Sequence, residues 1–164
     1  MAPRVETGIA LDCSAALALF LDDETPALAA ALLDALPHRE FRAPMLWRCE
    51  FANALLVAQR KRRLTPTAAQ RILAQAARLP LQFDDDPPSA ARLFEIAAAN
   101  GLTAYDAAYF ELAQRHGLEL ATLDQALARA AQRTGIALFR ASPVQGVHEP
   151  RAAYRPSRRE PRTK

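Results

Sequence analysis

The sequence predicts an α/β protein in which short strands form a parallel sheet and alternate with helices. From Gly8 to about Phe139, short apolar segments alternate with longer segments of helical apolar spacing, as expected for an open parallel sheet. The chain has 164 residues, is 51% hydrophobic, much of it Ala and Leu, and contains only five Gly, which favours a helix-rich domain with its own core. We expect one domain over residues 1–139.

The first 60 residues predict two strands and three helices. In chain order these are a strand over 8–12, a helix over 15–21 capped by Ser14, a helix over 26–36 capped by Thr25, a strand over 41–43 and a helix over 44–60. Pro26 and Pro44 stand at first helical positions, where a missing N–H group costs little. The acids at 22–24 are interpreted as a solvated turn.

The remaining chain predicts four helices and three strands. They are a helix over 66–78 capped by Thr65, a strand over 81–83, a helix over 88–99, a helix over 104–116 between Thr103 and Gly117, a strand over 118–123, a helix over 125–132 and a strand over 136–139. Asp84, Asp85 and Asp86 are interpreted as the N-cap region of the helix that begins at Pro88. Metal binding by this triplet is the weaker interpretation, because consecutive loop residues rarely converge on one ion.

Four acidic residues are predicted to meet at one edge of the sheet. Asp12 and Asp124 follow predicted strands, and ligands of open parallel sheets bind at the carboxyl ends of the strands. Glu50 falls inside the apolar arc of its helix, with Asn53 one turn later, and Asp106 lies near the start of its helix. Each acid alone also has a purely structural explanation, since Asp106 and Asp124 suit helix caps and Asp12 suits a turn.

Clustered carboxylates require a cation, because like charges and burial both raise their pKa values. An all-oxygen ligand set without His or Cys favours Mg²⁺ or Mn²⁺. Such an ion lowers the pKa of bound water and neutralises charge on a leaving oxygen. The acidic residues therefore predict metal-dependent hydrolysis of phosphodiester bonds.

Composition and motifs disfavour other classes of protein. The chain has no Gly-rich phosphate loop, and its three His are scattered, so neither a nucleotide-binding loop nor a serine triad is indicated. Two Cys without metal-site spacing suit a reducing cytoplasm. The N-terminus lacks a signal-peptide pattern, and the longest apolar run is too short to span a bilayer, so we expect a soluble protein without membrane contact.

Basic residues are concentrated in two segments. Residues 140–164 contain seven Lys or Arg, two acids and four Pro, which predicts a flexible Arg/Pro-rich tail. Residues 60–63 are Arg-Lys-Arg-Arg at the end of a predicted helix. Either a favourable helix dipole or contact with RNA phosphates explains this second segment.

Several motifs resemble those of the PIN-domain ribonucleases, and among them the VapC-type toxins of bacterial toxin–antitoxin pairs. The resemblance covers roughly residues 8–139. Leu102 to Tyr109 and Leu120 to Leu127 resemble the third and fourth acidic motifs of the family, and Ile9 to Ala15 resembles the first. Glu50 with Asn53 resembles the looser second motif. The Arg-rich extension after Phe139 is longer than the family pattern.

This resemblance implies a three-layer α/β/α sandwich and Mg²⁺- or Mn²⁺-dependent cleavage of RNA. The metal ligands it implies are Asp12, Glu50, Asp106 and Asp124, of which Asp124 either binds metal or orients water. The supporting residues it implies are Ser14, Asn53 and Thr122. It also implies a homodimer and inhibition by a cognate antitoxin protein.

Two alternatives remain open at the level of sequence. In one, the acids are only helix caps, and the chain is a non-catalytic module whose basic tail binds nucleic acid or protein. In the other, a nuclease of similar fold acts on DNA, because carboxylates do not read the 2′-hydroxyl group that distinguishes RNA.

Overall fold

The structure is a computed structural model that describes residues 7–21 and 25–141. The acids at 22–24 and most of the predicted tail over 140–164 therefore lie outside the described residues. The strands are β1 (Ile9–Leu11), β2 (Phe41–Ala43), β3 (Leu81–Phe83) and β4 (Glu119–Ala121). The helices are α1 (Cys13–Leu17), α2 (Pro26–Ala35), α3 (Trp47–Arg60), α4 (Pro66–Ala76), α5 (Ala90–Asn100), α6 (Ala104–His116) and α7 (Gln125–Thr134).

The four strands form one parallel sheet in the order β3-β2-β1-β4. Ile9 pairs with Phe41 on one side and with Glu119 on the other, so β1 is a central strand. All three residues of β1 are fully buried, because helices cover parallel sheets on both faces. The predicted α/β class with a short parallel sheet is confirmed, and the architecture is that of a three-layer α/β/α sandwich.

Helix α6 is the most buried helix in the described part of the chain. Every residue from Ala107 to Ala113 is buried, and the helix packs against α5, α7, β1 and β4. The small side chains of Ala107, Ala108 and Ala113 allow this close approach. The predicted caps of α6 are confirmed, with Thr103 accepting a hydrogen bond at the start and Gly117 in the left-handed conformation at the end.

Two predicted boundaries are wrong at the starts of helices. Ser14 does not cap α1 but lies within it, because its hydroxyl group is bonded to Asp12. Pro44 opens a turn in which each N–H bonds to the carbonyl three residues earlier, such as Trp47 N–H to the Pro44 carbonyl at 3.0 Å, and α3 begins only after that turn. The predicted start of α2 is confirmed, with Thr25 at the N-cap and Pro26 as the first helical residue, although the Thr25 side chain makes no cap bond.

Two further predictions are corrected towards the C-terminus. Ser89, not the acids at 84–86, caps α5, with its hydroxyl oxygen accepting from the Arg92 N–H at 3.2 Å. The predicted strand over 136–139 is reduced to a single parallel bridge between Leu120 and Leu138. No helix in residues 7–21 or 25–141 is long and apolar enough to cross a membrane.

Candidate acidic site

Asp12 lies at the carboxyl end of the central strand and is almost completely buried. Its side chain is 7% exposed, and its Oδ2 accepts hydrogen bonds from Ser14 Oγ at 2.5 Å and Thr122 Oγ1 at 2.6 Å. Burial raises the pKa of Asp12, and the charge of Asp106 adds to this, whereas the bonds from Ser14, Thr122 and the backbone act in the opposite direction. Asp12 is thus a carboxyl group held in one orientation by neighbouring donors.

Ser14 and Thr122 also fix the loop that follows β4. The Leu123 N–H donates to Ser14 Oγ at 2.9 Å, and the Asp124 N–H donates to Thr122 Oγ1 at 2.9 Å. The two hydroxyl groups therefore join the start of α1 to this loop through the Asp12 carboxylate. The structure places both predicted supporting residues beside Asp12.

Glu50 lies in the first turn of α3 and is half-buried. The Tyr109 hydroxyl group donates a hydrogen bond to its Oε2. Burial raises the pKa of Glu50, and the charges of Asp12 and Asp106 raise it further, whereas the bond from Tyr109 lowers it. Burial and the Glu50 carboxylate also raise the pKa of Tyr109 above its usual range, so this hydroxyl remains a donor.

Asp106 lies in the first turn of α6 and forms a complete capping box with Thr103. The Asp106 N–H donates to Thr103 Oγ1 at 3.1 Å, while Asp106 Oδ2 accepts from Thr103 Oγ1 at 2.7 Å and from Thr103 N–H at 3.3 Å. The structural explanation of Asp106 is therefore correct. Burial is the main reason that the pKa values of Asp12 and Glu50 are raised, and the charge of Asp106 adds a smaller effect to both, so Asp106 lies within electrostatic range of the two acids. We call these three residues the acidic cluster.

Asp124 and Asn53 are less closely associated with this cluster. Asp124 is exposed and caps α7, with Oδ1 accepting from the Leu127 N–H at 2.7 Å. The Asp124 N–H donates to Thr122 Oγ1, which in turn donates to Asp12, so the two acids are linked through Thr122. The charge of Asp124 is not among the causes of the raised Asp12 pKa. Asn53 is exposed on α3, and none of the hydrogen bonds described above involves it.

Two residues of the site do not follow from the sequence pattern. Tyr109 is 1% exposed and resembles an ordinary core aromatic, although its spacing of three residues from Asp106 places it on the same face of α6. The Cys13 thiol is also buried near the acids. Its burial raises its pKa to about 12, and the charges of Asp12 and Glu50 contribute to this shift.

The donor chemistry of the site fits a divalent cation, but the carboxylates are not arranged as a finished metal site. Among the residues that the structure describes, no three His, Cys, Asp or Glu side chains converge on one metal position. The bonds from Thr103, Tyr109 and Ser14 hold Asp106, Glu50 and Asp12 toward protein donors. The three carboxylates repel one another, and a bound Mg²⁺ or Mn²⁺ would relieve this repulsion.

Fold and site together define an α/β domain with an acidic cluster at the carboxyl edge of a parallel sheet. The family model of the PIN domain matches residues 9–133, and the chain therefore belongs to the PIN-domain family. PIN domains form a nuclease superfamily, and its nucleases generally use divalent metals. All four predicted acidic residues lie within the matched region.

Solved structures similar to this chain include those of PAE2754 and FitAcB. PAE2754 from Pyrobaculum aerophilum is 29% identical, with a TM-score of 0.61 over 76% of this chain and 84% of that chain. FitAcB from Neisseria gonorrhoeae is 19% identical, with a TM-score of 0.57 over 81% of this chain and 97% of that chain, and at this identity the likeness concerns the fold alone. No curated protein sequence matches the chain.

Proposed function

We propose that the protein is a Mg²⁺- or Mn²⁺-dependent endoribonuclease that acts in the cytoplasm as the toxin of a toxin–antitoxin pair. The observation that carries this proposal is the burial of Asp12 at the carboxyl end of the central strand, where Ser14 and Thr122 hold its carboxylate, together with the half-buried Glu50 that Tyr109 holds. A helix cap explains the position of Asp106 but gives no reason to bury Asp12 and Glu50 beside it. A cation-binding role accounts for all three.

In this proposal Asp12, Glu50 and Asp106 hold the metal, and Asp124 binds it or orients water from the start of α7. The bound metal supplies a nucleophilic water at neutral pH and stabilises charge on the leaving oxygen. Ser14 and Thr122 keep the Asp12 carboxylate at the sheet edge, and Tyr109 does the same for Glu50. Asn53 is proposed as a further hydrogen-bonding residue.

The capping role of Asp106 leaves one of its carboxylate oxygens available to a metal. Asp106 Oδ2 accepts from Thr103 Oγ1 at 2.7 Å and from the Thr103 N–H at 3.3 Å, whereas none of the hydrogen bonds among the described residues involves Asp106 Oδ1. In this proposal Asp106 therefore caps α6 and binds the metal with different oxygens.

The toxin role, the antitoxin partner and the homodimer rest on the resemblance of the acidic motifs to VapC-type toxins. RNA is proposed as the substrate on the same basis. Expression of the wild-type chain should arrest growth, and expression of Asp12→Asn should not. Rescue by a small protein encoded beside its gene would identify the antitoxin, while size measurement in solution tests the dimer.

The enzymatic proposal is tested by incubating purified full-length protein with single-stranded RNA and Mg²⁺ or Mn²⁺. We expect internal cleavage that EDTA abolishes and that falls at least about 100-fold in Asp12→Asn or Asp106→Asn, since each loses a metal ligand. Asp85→Asn removes an exposed acid far from the cluster in sequence and is the matched control. Equal activity in all variants, or cleavage in excess EDTA, contradicts the mechanism.

A DNA strand of the same sequence separates the two nuclease alternatives. The acidic cluster acts on the phosphodiester and does not distinguish the sugars, so discrimination must come from the surrounding surface. Cleavage of RNA alone supports the proposed substrate. Equal or faster cleavage of DNA would replace it.

A further inference from the structure

A cavity of about 330 Å³ opens beside the acidic cluster, between α1, the start of α2 and the C-terminal half of α3. Its floor is aliphatic and includes Leu17, Leu21 and Val57, while Lys61 and Arg63 provide cationic groups. We propose that this pocket binds one unpaired nucleotide of single-stranded RNA next to the cleaved bond, with the base on the aliphatic floor and a phosphate on Lys61 and Arg63. The proposal deepens the proposed function and rests on it.

The pocket is continuous with the acidic cluster. Ser14 lines the pocket and also donates to Asp12 Oδ2 at 2.5 Å. Leu123 lines it too, is 43% exposed, and donates its N–H to Ser14 Oγ. A strand that fills the pocket therefore reaches the cluster within the length of one nucleotide link.

The end of α3 directs two of its four consecutive cations toward the pocket. Arg62 adopts a left-handed conformation with φ of 57°, its N–H donates to the Gln59 carbonyl at 2.8 Å, and the Arg63 N–H donates to the Ala58 carbonyl at 2.9 Å. These two bonds form a Schellman motif, which reverses the chain after one residue. As a result Lys61 and Arg63 line the pocket, and Arg60 and Arg62 do not.

The combination of an aliphatic floor and cations matches a nucleotide better than it matches an apolar peptide. The volume falls at the lower end of the range of small-ligand pockets, about 300–1,000 Å³. No acidic side chain lines the pocket among the described residues, although 22–24, between Leu21 and Thr25, are not described. An apolar peptide segment would contact the aliphatic floor but would leave Lys61 and Arg63 without a complementary charge. A nucleotide contacts the floor with its base and the two cations with its phosphate.

The charge contribution is tested by binding of a fluorescein-labelled single-stranded RNA to the full-length chain in EDTA, where no metal-dependent cleavage occurs. We expect the double variant Lys61→Gln with Arg63→Gln to bind more weakly and to reduce the slope of log affinity against log salt by about 0.7, the value for the one phosphate that the two side chains share. The matched control is Arg60→Gln with Arg62→Gln, which removes the same charge from the same segment. This control should keep most of the affinity and slope.

The apolar contribution is tested by filling the pocket. Ala54 lines it, whereas Ala52 is exposed on the same helix outside it. We expect Ala54→Leu to weaken RNA binding about tenfold without changing the salt slope, because the larger side chain occupies the space that the base would fill and changes no charge. Ala52→Leu should bind as wild type does, and thermal unfolding confirms that both variants are folded.

The outcomes separate the pocket from the proposed nuclease activity. Equal losses in the two charge pairs would indicate diffuse attraction and overturn the pocket proposal, as would unchanged RNA binding in Ala54→Leu. RNA binding insensitive to all these variants, together with intact cleavage, would leave the cavity to a protein segment. Absence of cleavage with pocket-dependent binding would overturn the nuclease proposal and keep the RNA site.

Discussion

Asp12 combines a structural and a chemical role in one side chain. Its carboxylate joins α1 to the loop after β4 through Ser14 and Thr122, yet burial and the Asp106 charge favour its neutral form. A group that is more stable when protonated is a cost to the folded protein at neutral pH unless a cation is present. The site is therefore under electrostatic stress in the metal-free protein.

This stress predicts the pH dependence of the metal-free protein. The folded-state pKa of Asp12 and of Glu50 is raised, so the folded protein binds more protons than the unfolded chain does between the two pKa values. Their contribution to stability is full below the unfolded pKa of about 4 and is lost as pH rises through the folded value. In EDTA, we expect the free energy of unfolding in urea to fall from pH 4 towards pH 7.

Asp12→Asn removes part of this pH dependence. The variant should be more stable than wild type at pH 7 by on the order of 1 kcal/mol and should show a flatter profile, because Asn places no charge in this buried position and none beside Asp106. Asp85→Asn, at an exposed position, should follow the wild-type curve. Parallel curves for Asp12→Asn and wild type would mean that the buried charge of Asp12 has no cost.

At the residue level the sequence identifies the acids and, through the family resemblance, the Ser14 and Thr122 donors, but not Tyr109. Asp12, Glu50 and Asp106 are recognisable because a carboxylate after a strand or on an apolar helix face is unusual. Tyr109 is not, since an aromatic residue on a buried helix is explained by packing alone. Asp84 also escapes the pattern, because a run of three acids before a helix indicates an N-cap region, whereas the structure buries this one against Arg115.

At the level of elements, the end of α3 contains an unfavourable backbone conformation. Arg62 occupies the position of the Schellman motif that Gly usually fills. A left-handed conformation costs a residue with a side chain about 1–2 kcal/mol. Gly avoids this cost, but it loses more conformational entropy on folding, which offsets part of the gain. Arg62 is retained here between the two cations that line the pocket.

Arg62→Gly should therefore stabilise the protein by about 0.5–1 kcal/mol. Lys61→Gly is the matched control, because Lys61 has φ of −80° and gains nothing from Gly. It should leave stability unchanged or lower it. Urea unfolding measures both, and a destabilised Arg62→Gly would contradict the strain argument.

The elements themselves are largely predictable, whereas their boundaries are not. Helical spacing and capping residues identify α4 and α6 closely, since Thr65 and Thr103 both accept the expected bonds. The start of α1 is different because Ser14 has a stronger partner in Asp12 than in its own helix backbone. Both residues are visible in the local sequence, but the sequence does not show that the Ser14 hydroxyl group bonds to Asp12 and not to the helix backbone.

At the scale of the whole molecule, an ion cluster joins the edge of the sheet to the helical layer. Arg115 on α6 bonds to Asp84 at 2.6 Å, just beyond β3, and to Glu111 at 2.9 Å within its own helix. The Asp84 and Glu111 side chains are only 5% and 10% exposed. Their carboxylates hold the pKa of Arg115 above its usual range.

Arg115→Met should destabilise the protein by about 2 kcal/mol, because it leaves two buried carboxylates without their cation. Arg92→Met is the matched control. Arg92 pairs with Glu95 at 3.7 Å, and both side chains are more than half exposed, so its loss should cost no more than about 0.5 kcal/mol. Thermal or urea unfolding compares them, and equal effects would deny the cluster a role in joining the layers.

The central position of β1 affects when the acidic site can fold. Ile9 in β1 pairs with Glu119 in β4. The central strand of the sheet is therefore bonded to a strand that lies more than 100 residues later in the chain. Thr122, which bonds to the Asp12 carboxylate, is made after three quarters of the chain. Pairings of such long sequence separation slow folding, and a nascent chain has no assembled acidic centre until β4 and Thr122 have been synthesised.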